Sequence, residues 1–320
     1  MAGTRPPAGS GPAEERGGAS ESLEELRPKA FAIAYRMLGT VTEAEDIVQE
    51  ALLRLHRVRE SGERIESPRA YVATVTTRLA IDHLRSARAR RETYVGEWLP
   101  EPLVTGADED PARHAEVADS LSLAFLVLLE SLSPEQRAVF LLREVFDYPY
   151  EQIAEIVGKS EGATRQLAVR ARRHVDEGRP RFEASREQSK DMARRFLAAT
   201  EEGDLERLEE LLAEDVVLHG DGGGKAPALA QPLFGRRRVA RTLATWARQA
   251  NRFGGVTVRS TEINGQPGAM FLDPGGNLIS VMALDLAGGQ IQAVRSIVNP
   301  DKLRHLGPVA DVGALLRGDG

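Results

Sequence analysis

Apolar positions set the first reading of the chain. From Ser22 to Arg91 they recur at helical spacing: Leu23, Leu26, Phe31, Ile33, Ala34, Met37 and Leu38, then Ile47, Val48, Leu52, Leu53 and Leu55, then Tyr71, Val75, Leu79 and Leu84. Three helices are expected. Gly39 ends the first, Thr42 with Glu45 three residues on makes a capping box for the second, and Ser67-Pro68 opens the third. Residues 92–118 lose the period, and there Trp98-Leu99-Pro100-Glu101-Pro102-Leu103 precedes Asp108-Glu109-Asp110-Pro111, the composition of a linker. Helical spacing returns over 116–131, 134–146, 150–157 and 160–175.

Near Arg186 the pattern changes. Two helices, 187–201 and 204–213, precede a short strand at 215–219, a glycine-rich stretch and a helix at 235–250. Strand-like runs follow at 255–263, 268–273, 277–286 and 289–298, separated by Asn264-Gly265, Pro274-Gly275-Gly276 and Gly288-Gly289. Helices first and strands afterwards predict an α+β unit. The expected organisation is multidomain: a disordered stretch over 1–21, an all-α unit over 22–91, a linker over 92–118, a second all-α unit over 119–184 and an α+β unit over 185–320.

Charge changes this picture only when it is divided along the chain. The whole carries −6, which argues against a nucleic-acid partner. Residues 22–91, however, hold thirteen basic and ten acidic side chains, while residues 92–118 hold one and seven. The acidity sits in the linker, and patch position matters more than the total. The absence of cysteine excludes disulfides, thiol catalysis and cysteine-ligated metal centres. No run approaches the roughly 20 apolar residues that cross a bilayer, and no apolar signal core is visible, so a cytoplasmic location and no membrane partner are expected.

The sharpest chemistry lies at residues 150–175. A helix ending at Val157-Gly158 and another opening at Ser160 make a helix-turn-helix, with Ala154 at the crossing and Gly158 in the turn. Helical-wheel arithmetic places Ala163, Leu167, Ala171 and Val175 on the buried side, with Arg165, Gln166, Arg172 and Arg173 outward. Residues 159–173 carry five basic side chains against one acidic. Such a donor-rich face suits base-edge readout and phosphate clamping, whereas a solvated basic helix is the plainer reading. A second surface runs along 68–86, where Arg78, Asp82 and Arg85 share one face and Arg88, Arg90 and Arg91 extend the charge. Alone it reads as a salt-bridged exposed helix; beside the first, it suggests a two-site nucleic-acid reader.

The motifs then resemble a known family. Thr42-Glu43-Ala44-Glu45-Asp46-Ile47-Val48-Gln49-Glu50 and Leu79-Ala80-Ile81-Asp82-His83-Leu84-Arg85 resemble region 2 of extracytoplasmic-function (ECF) sigma factors of the sigma-70 family. Leu132-Ser133-Pro134-Glu135-Gln136-Arg137, followed by the helix-turn-helix, resembles region 4. The tail is similar to a SnoaL-like domain of the NTF2 fold, as in the sigma-J-type subgroup. That likeness is carried by Trp98–Leu103, by Asp221-Gly222-Gly223-Gly224-Lys225 and by Asn299-Pro300-Asp301-Lys302-Leu303.

The resemblance implies two helical sigma domains and an α+β NTF2-like cone. Asp46, Gln49 and Glu50 would meet the clamp helices of RNA polymerase core, whose flap is a further contact. Arg78, Asp82, Arg85 and Arg88 would meet the −10 element, with the loop Glu60–Pro68 holding an extruded base from the melted strand. Ser160, Thr164, Arg165, Gln166, Arg170, Arg172 and Arg173 would meet the −35 element as duplex. The three tail-and-linker motifs would form a regulatory surface that acts in cis, with no separate anti-sigma factor. No cofactor, metal or catalytic residue is implied.

The tail leaves one alternative open. NTF2-like cones can house isomerases, cyclases or hydrolases, and His219, Asp221, Lys225 and Asp285 could be offered as an acid/base set. Asp221–Lys225 is not a phosphate loop, because it lacks the upstream glycine and the trailing Ser/Thr. An unnamed small ligand in the cone is the remaining expectation.

Overall fold

A computed structural model describes residues 22–91, 93–105, 120–178, 186–252 and 254–317. The disordered stretch expected over 1–21 and the acidic cluster Asp108–Asp110 lie outside these residues. Three helices open the described residues: α1 (Leu23–Leu38), α2 (Val41–Glu60) and α3 (Pro68–Arg91). Ser22 and Glu25 make a reciprocal capping box on α1, and Gly39 closes it at φ 72°, a conformation that favours glycine.

The start of α2 corrects the sequence reading. Its N-cap is Thr40, not Thr42, and the Thr40 hydroxyl bonds Glu43 rather than the backbone. A carboxylate from the linker, Glu101, accepts instead from the first amides of α2, Val41 N at 2.7 Å and Thr42 N at 3.3 Å. A distant cap has replaced the local one. Glu45 pairs with Arg27.

Among the described residues four more helices follow: α4 (Leu123–Leu129), α5 (Pro134–Phe140), α6 (Tyr150–Val157) and α7 (Glu161–Gly178). Within the helix expected over 116–131, residues 116–119 lie outside the described residues, and α4 begins after Ser122, which caps it by accepting from Phe125 N. Beyond α5 the chain continues as a π-helical turn over Leu141–Val145, where Phe146 N reaches Leu141 O. Gly158 sits at φ 66° between α6 and α7, as the turn requires. The helices of 22–91 and 120–178 bury their apolar stripes in one continuous cluster, from Leu26 and Tyr35 through Leu84 to Phe125, Phe140 and Val175. Buried Arg137 ties them, donating to Met37 O at 2.6 Å and Glu130 at 2.7 Å. Burial lowers its guanidinium to about 9.

The tail holds α8 (Arg186–Glu202), α9 (Leu205–Leu211) and α10 (Arg236–Arg252) packed on one face of a seven-stranded sheet. The strands are β1 (Val104–Thr105), β2 (Leu212–Asp221), β3 (Leu233–Phe234), β4 (Thr257–Ile263), β5 (Gln266–Leu272), β6 (Leu278–Ala287) and β7 (Gln290–Ile297), in the order β1-β4-β5-β6-β7-β2-β3. Only the β2–β7 pair is parallel among them. Two short helices, α11 (Pro300–Leu303) and α12 (Val312–Arg317), finish the described chain. β1 comes from the presumed linker: Val104 pairs with Ile263 and Thr105 with Glu262. The sheet face opposite the helices is covered by Leu99, Leu123 and Leu303, packed on Met270, Val281 and Ile297. Among the described residues, no helix is long and apolar enough to cross a membrane.

Candidate nucleic-acid interfaces and the strap between them

The α7 face follows from its own packing. Thr164, Ala168, Ala171 and Val175 are buried, so the inward stripe is turned roughly 70° from one centred on Leu167, at 3.6 residues per turn. Leu167 and Ala163 are only half-buried. Thr164 is the one expected DNA contact that the structure removes: it is fully buried, and its hydroxyl donates to Ser160 O at 3.0 Å. Ser160, Arg165, Gln166, Arg170, Arg172 and Arg173 are all exposed. Carboxylates hold three of them in place: Glu161 binds Arg165, Glu144 binds Arg172 at 2.5 Å and Glu177 binds Arg173 at 2.9 Å. Arg165 also lies over the Tyr150 ring, 4.5 Å from its centre.

The α3 face has a different environment. Arg78 Nε donates to Ile156 O at 3.0 Å and Nη2 to Glu155 O at 2.8 Å, the carbonyl end of α6. A cation there meets both free acceptors and the negative end of the helix dipole. Arg85 binds Asp82 at 3.1 Å and Glu135 at 2.6 Å. The bond to Glu135 holds the Arg85 guanidinium above its ordinary value, and the Glu135 carboxyl correspondingly below its own. Arg78 and Arg85, two of the four α3 residues expected at the −10 element, are therefore engaged by residues of the 120–178 unit. Arg88 lies in α3, but its side chain is outside the described residues. On α2, Asp46 and Gln49 are exposed, and Glu50 binds Arg54 at 2.7 Å. The 61–67 loop between α2 and α3 lies largely at the surface.

Residues 94–105 run between these helices and the tail as a strap. Its centre is Asp221, fully buried at the end of β2. One carboxylate oxygen accepts from Tyr94 OH at 2.5 Å; the other accepts from Leu99 N at 2.8 Å and pairs with Lys302 Nζ at 2.6 Å. Lys302 also donates to Leu99 O, and its ammonium lies 4.3 Å from the Trp98 ring centre and 4.8 Å from that of Tyr94. Every polar atom of this buried pair thus has work, which is the condition for burying charge. Asn299 Nδ2 donates to Tyr94 OH at 2.8 Å. Gly223, at φ 58°, brings its backbone so close that a Cβ would stand 2.2 Å from Asn299 Nδ2. Gly224 likewise lies under Val95, and Lys225 pairs with Asp301.

The strap also grips the helical side. Trp98 covers Gly39, where a Cβ would stand 2.8 Å from the indole. Glu101 N donates to Gly39 O at 2.8 Å, and Tyr35 OH donates to Glu101 O at 2.6 Å. Burial raises the Glu101 carboxyl above its usual range, against the pull of the Val41 and Thr42 amides. His305 lies 2.8 Å from Pro102 O. Leu99, Pro100 and Pro102 are buried, and Leu103 packs on the helical core.

Sequence reasoning missed three members of this junction. Asn264 reads as a turn residue, and its φ of 53° agrees. Its side chain nevertheless accepts from Leu103 N at 2.8 Å and donates to Tyr35 OH at 2.8 Å and Leu121 O at 2.9 Å, joining strap, α1 and the approach to α4. Tyr35 and Tyr94 read as ordinary aromatics; burial raises both hydroxyls, and both act as donors. No local pattern signals these three.

The proposed acid/base set does not converge. His219 lies 2.7 Å from Glu97, Asp221 and Lys225 belong to the strap contacts, and Asp285 pairs with Arg295 at 2.8 Å. Burial raises the Asp285 carboxyl. None of the four lines the tail's cavity.

Three family models match the chain. Residues 23–90 match sigma-70 region 2, residues 122–175 match sigma-70 region 4, and residues 193–276 match the SnoaL-like domain. The chain is 39% identical over 291 residues to the ECF RNA polymerase sigma factor SigJ of Mycobacterium tuberculosis, a match covering 88% of this chain and 91% of that protein. It is 34% identical over 278 residues to the probable ECF RNA polymerase sigma factor SigI of the same organism, covering 86% and 91%. Among solved structures it resembles the crystal structure of the M. tuberculosis extracytoplasmic function sigma factor SigJ, with TM-score 0.72 and 36% identity over 90% of this chain and 99% of that one.

Proposed function

The chain belongs to the extracytoplasmic-function RNA polymerase sigma factors and carries a SnoaL-like tail, and from that premise we propose how it is controlled. Sigma factors bind polymerase core and promoter DNA. In this chain α7 reads the −35 element as duplex, α3 with the 61–67 loop takes the melted −10 strand, and Asp46, Gln49 and Glu50 meet the core. The tail and strap hold the α3 face closed in cis, in place of a separate anti-sigma protein. Tethering gives the closing contacts a high effective concentration, so each can be individually weak. The tail acts here as a regulator and not as a catalyst.

The observation that carries this reading is Arg78, which the −10 role needs free and which instead donates twice to the end of α6. Opening must exchange those bonds for DNA contacts. The test is run-off transcription with purified core polymerase on a cognate promoter. Removing residues 186–320, or weakening the strap by Trp98→Ala in the full chain, should raise the yield at equal sigma concentration. Unchanged yield from both would defeat regulation by the tail.

A further inference from the structure

The tail encloses a cavity of about 430 Å³ between α8, α10 and the sheet, within the range of small-molecule sites. We propose that it receives an uncharged, mainly apolar small molecule bearing one or two hydrogen-bonding groups. Its occupancy strengthens docking of the 94–105 strap on the opposite face of the sheet. The second half rests on the tail's role as a regulator; the first does not.

The wall dictates the ligand class. Leu243, Trp246, Phe271 and Met282 supply apolar surface, and Val312 and Leu315 of α12 complete it. Among the described residues it holds no lysine, arginine or histidine, and its one carboxylate, Glu201, is exposed. A buried charge would go unpaired there, so the ligand is neutral. Two polar groups stand out. Ser280 and Ser296, on adjoining strands β6 and β7, line the cavity with only 8% and 4% of their surface exposed. They are placed to orient a carbonyl or hydroxyl of the guest.

Coupling follows from the two-residue period of strands. Gly220 faces the cavity and Asp221, the next residue, holds the strap. Ser296 and Val298 line the cavity, while Ile297 and Asn299 between and after them face the strap side. After β2 the chain turns through Gly222–Lys225 and returns to the cavity wall at Pro227, Ala228 and Leu229. That turn is tight: a Cβ on Gly222 would lie 2.2 Å from Ala226 O. One stretch of backbone serves both sites, so a guest that fixes it favours the docked strap, and the docked strap must favour the guest to the same degree.

The test uses the full chain without polymerase or promoter, so it stands apart from the transcription assay. The probe is N-phenyl-1-naphthylamine, an uncharged fluorophore that brightens in apolar sites. It should bind one site per chain saturably. Ala247→Phe and Ser296→Leu, which fill the cavity from α10 and from β7, should each weaken it at least tenfold while the chain still melts cooperatively. Trp98→Ala, remote from the cavity, should weaken it about fivefold, the low end of measured couplings. Saturating probe should slow amide exchange over residues 94–105 in the unaltered chain. Non-saturable binding, or full affinity in both filled variants, would overturn the site. Unchanged affinity in Trp98→Ala together with unchanged exchange would overturn the coupling.

Discussion

Two basic helices meet opposite fates in this fold. On α7, Arg165 and Arg173 are held by carboxylates of their own helix, in exposed pairs that water and salt readily loosen. On α3, Arg78 and Arg85 reach across to another unit, to the carbonyls of Glu155 and Ile156 and to Glu135. Both helices carry the charge that a nucleic acid requires. They differ in which partner each must release first. On the proposed reading, duplex docking proceeds from the closed form, whereas capture of a melted strand waits for the two units to part. Asp46 and Gln49 are exposed in this form, so on the same reading polymerase arrives before either change.

The largest effect is expected at the strap. Lys302→Met leaves Asp221 buried with its charge unpaired, a loss of about 3–5 kcal/mol. Amide exchange should then rise along α3 and the strap while α7 keeps its protection. Equal rises in α3 and α7 would mean that the strap supports the fold in general and the α3 contact in no special way. Gly223→Val reaches the same junction from the glycine turn, so combining it with Lys302→Met should cost less than the sum.

A smaller pair of effects separates the helices directly. Arg78→Ala removes two charge-assisted bonds, each worth about 1.5–3 kcal/mol in other proteins, and should loosen α3 against α6 in the free chain. With core present it should impair promoter opening more than initial docking. Gln166→Ala should leave the free chain's exchange untouched and lower discrimination of the cognate −35 element by about 1–3 kcal/mol, if a bidentate base contact is lost. Equal effects of Gln166→Ala on cognate and scrambled promoters would show that this face only positions the helix.

Much of this was legible in the sequence, because most of it is local. Helical periodicity, the Gly39 end of α1 and the Gly158 turn are each decided within a few residues, and they fold as read. Resemblance supplied the family of the tail and the three motifs that the structure brings together around Asp221. The failures share one cause. Thr42 and Glu45 form a plausible local cap, but Glu101, 59 residues away from Thr42, takes the amides instead. Residues 104–105 lack any strand signal of their own and become a strand because the edge of β4 offers them partners. The stripe of α7 is rotated by what it packs on, and that surface is not written in α7. Asn264, Tyr35 and Tyr94 carry functions that arise only when distant segments meet.

The smallest effect concerns that distant cap. Glu101 lies between Gly39 and the start of α2 with little water to solvate its charge, and burial outweighs the help of two amides and of the neighbouring His305 and Lys302 side chains. Its pKa is therefore higher in the docked strap than in a free one. The docked form binds the proton more tightly, so this contribution is complete below the ordinary carboxylate pKa of about 4.3 and declines as pH rises through the raised value. Glu101→Gln keeps an acceptor for Val41 N and removes the ionisation. The variant should melt at or slightly above the unaltered chain at neutral pH, and the difference should shrink toward zero as pH approaches about 4. Glu101→Ala, by contrast, loses the cap itself, about 0.5–2 kcal/mol, at every pH. A Glu101→Gln difference that stays constant from about pH 4 to 8 would mean that the carboxylate is fully paid for by its amides, and that docking of the strap on α2 is indifferent to its charge.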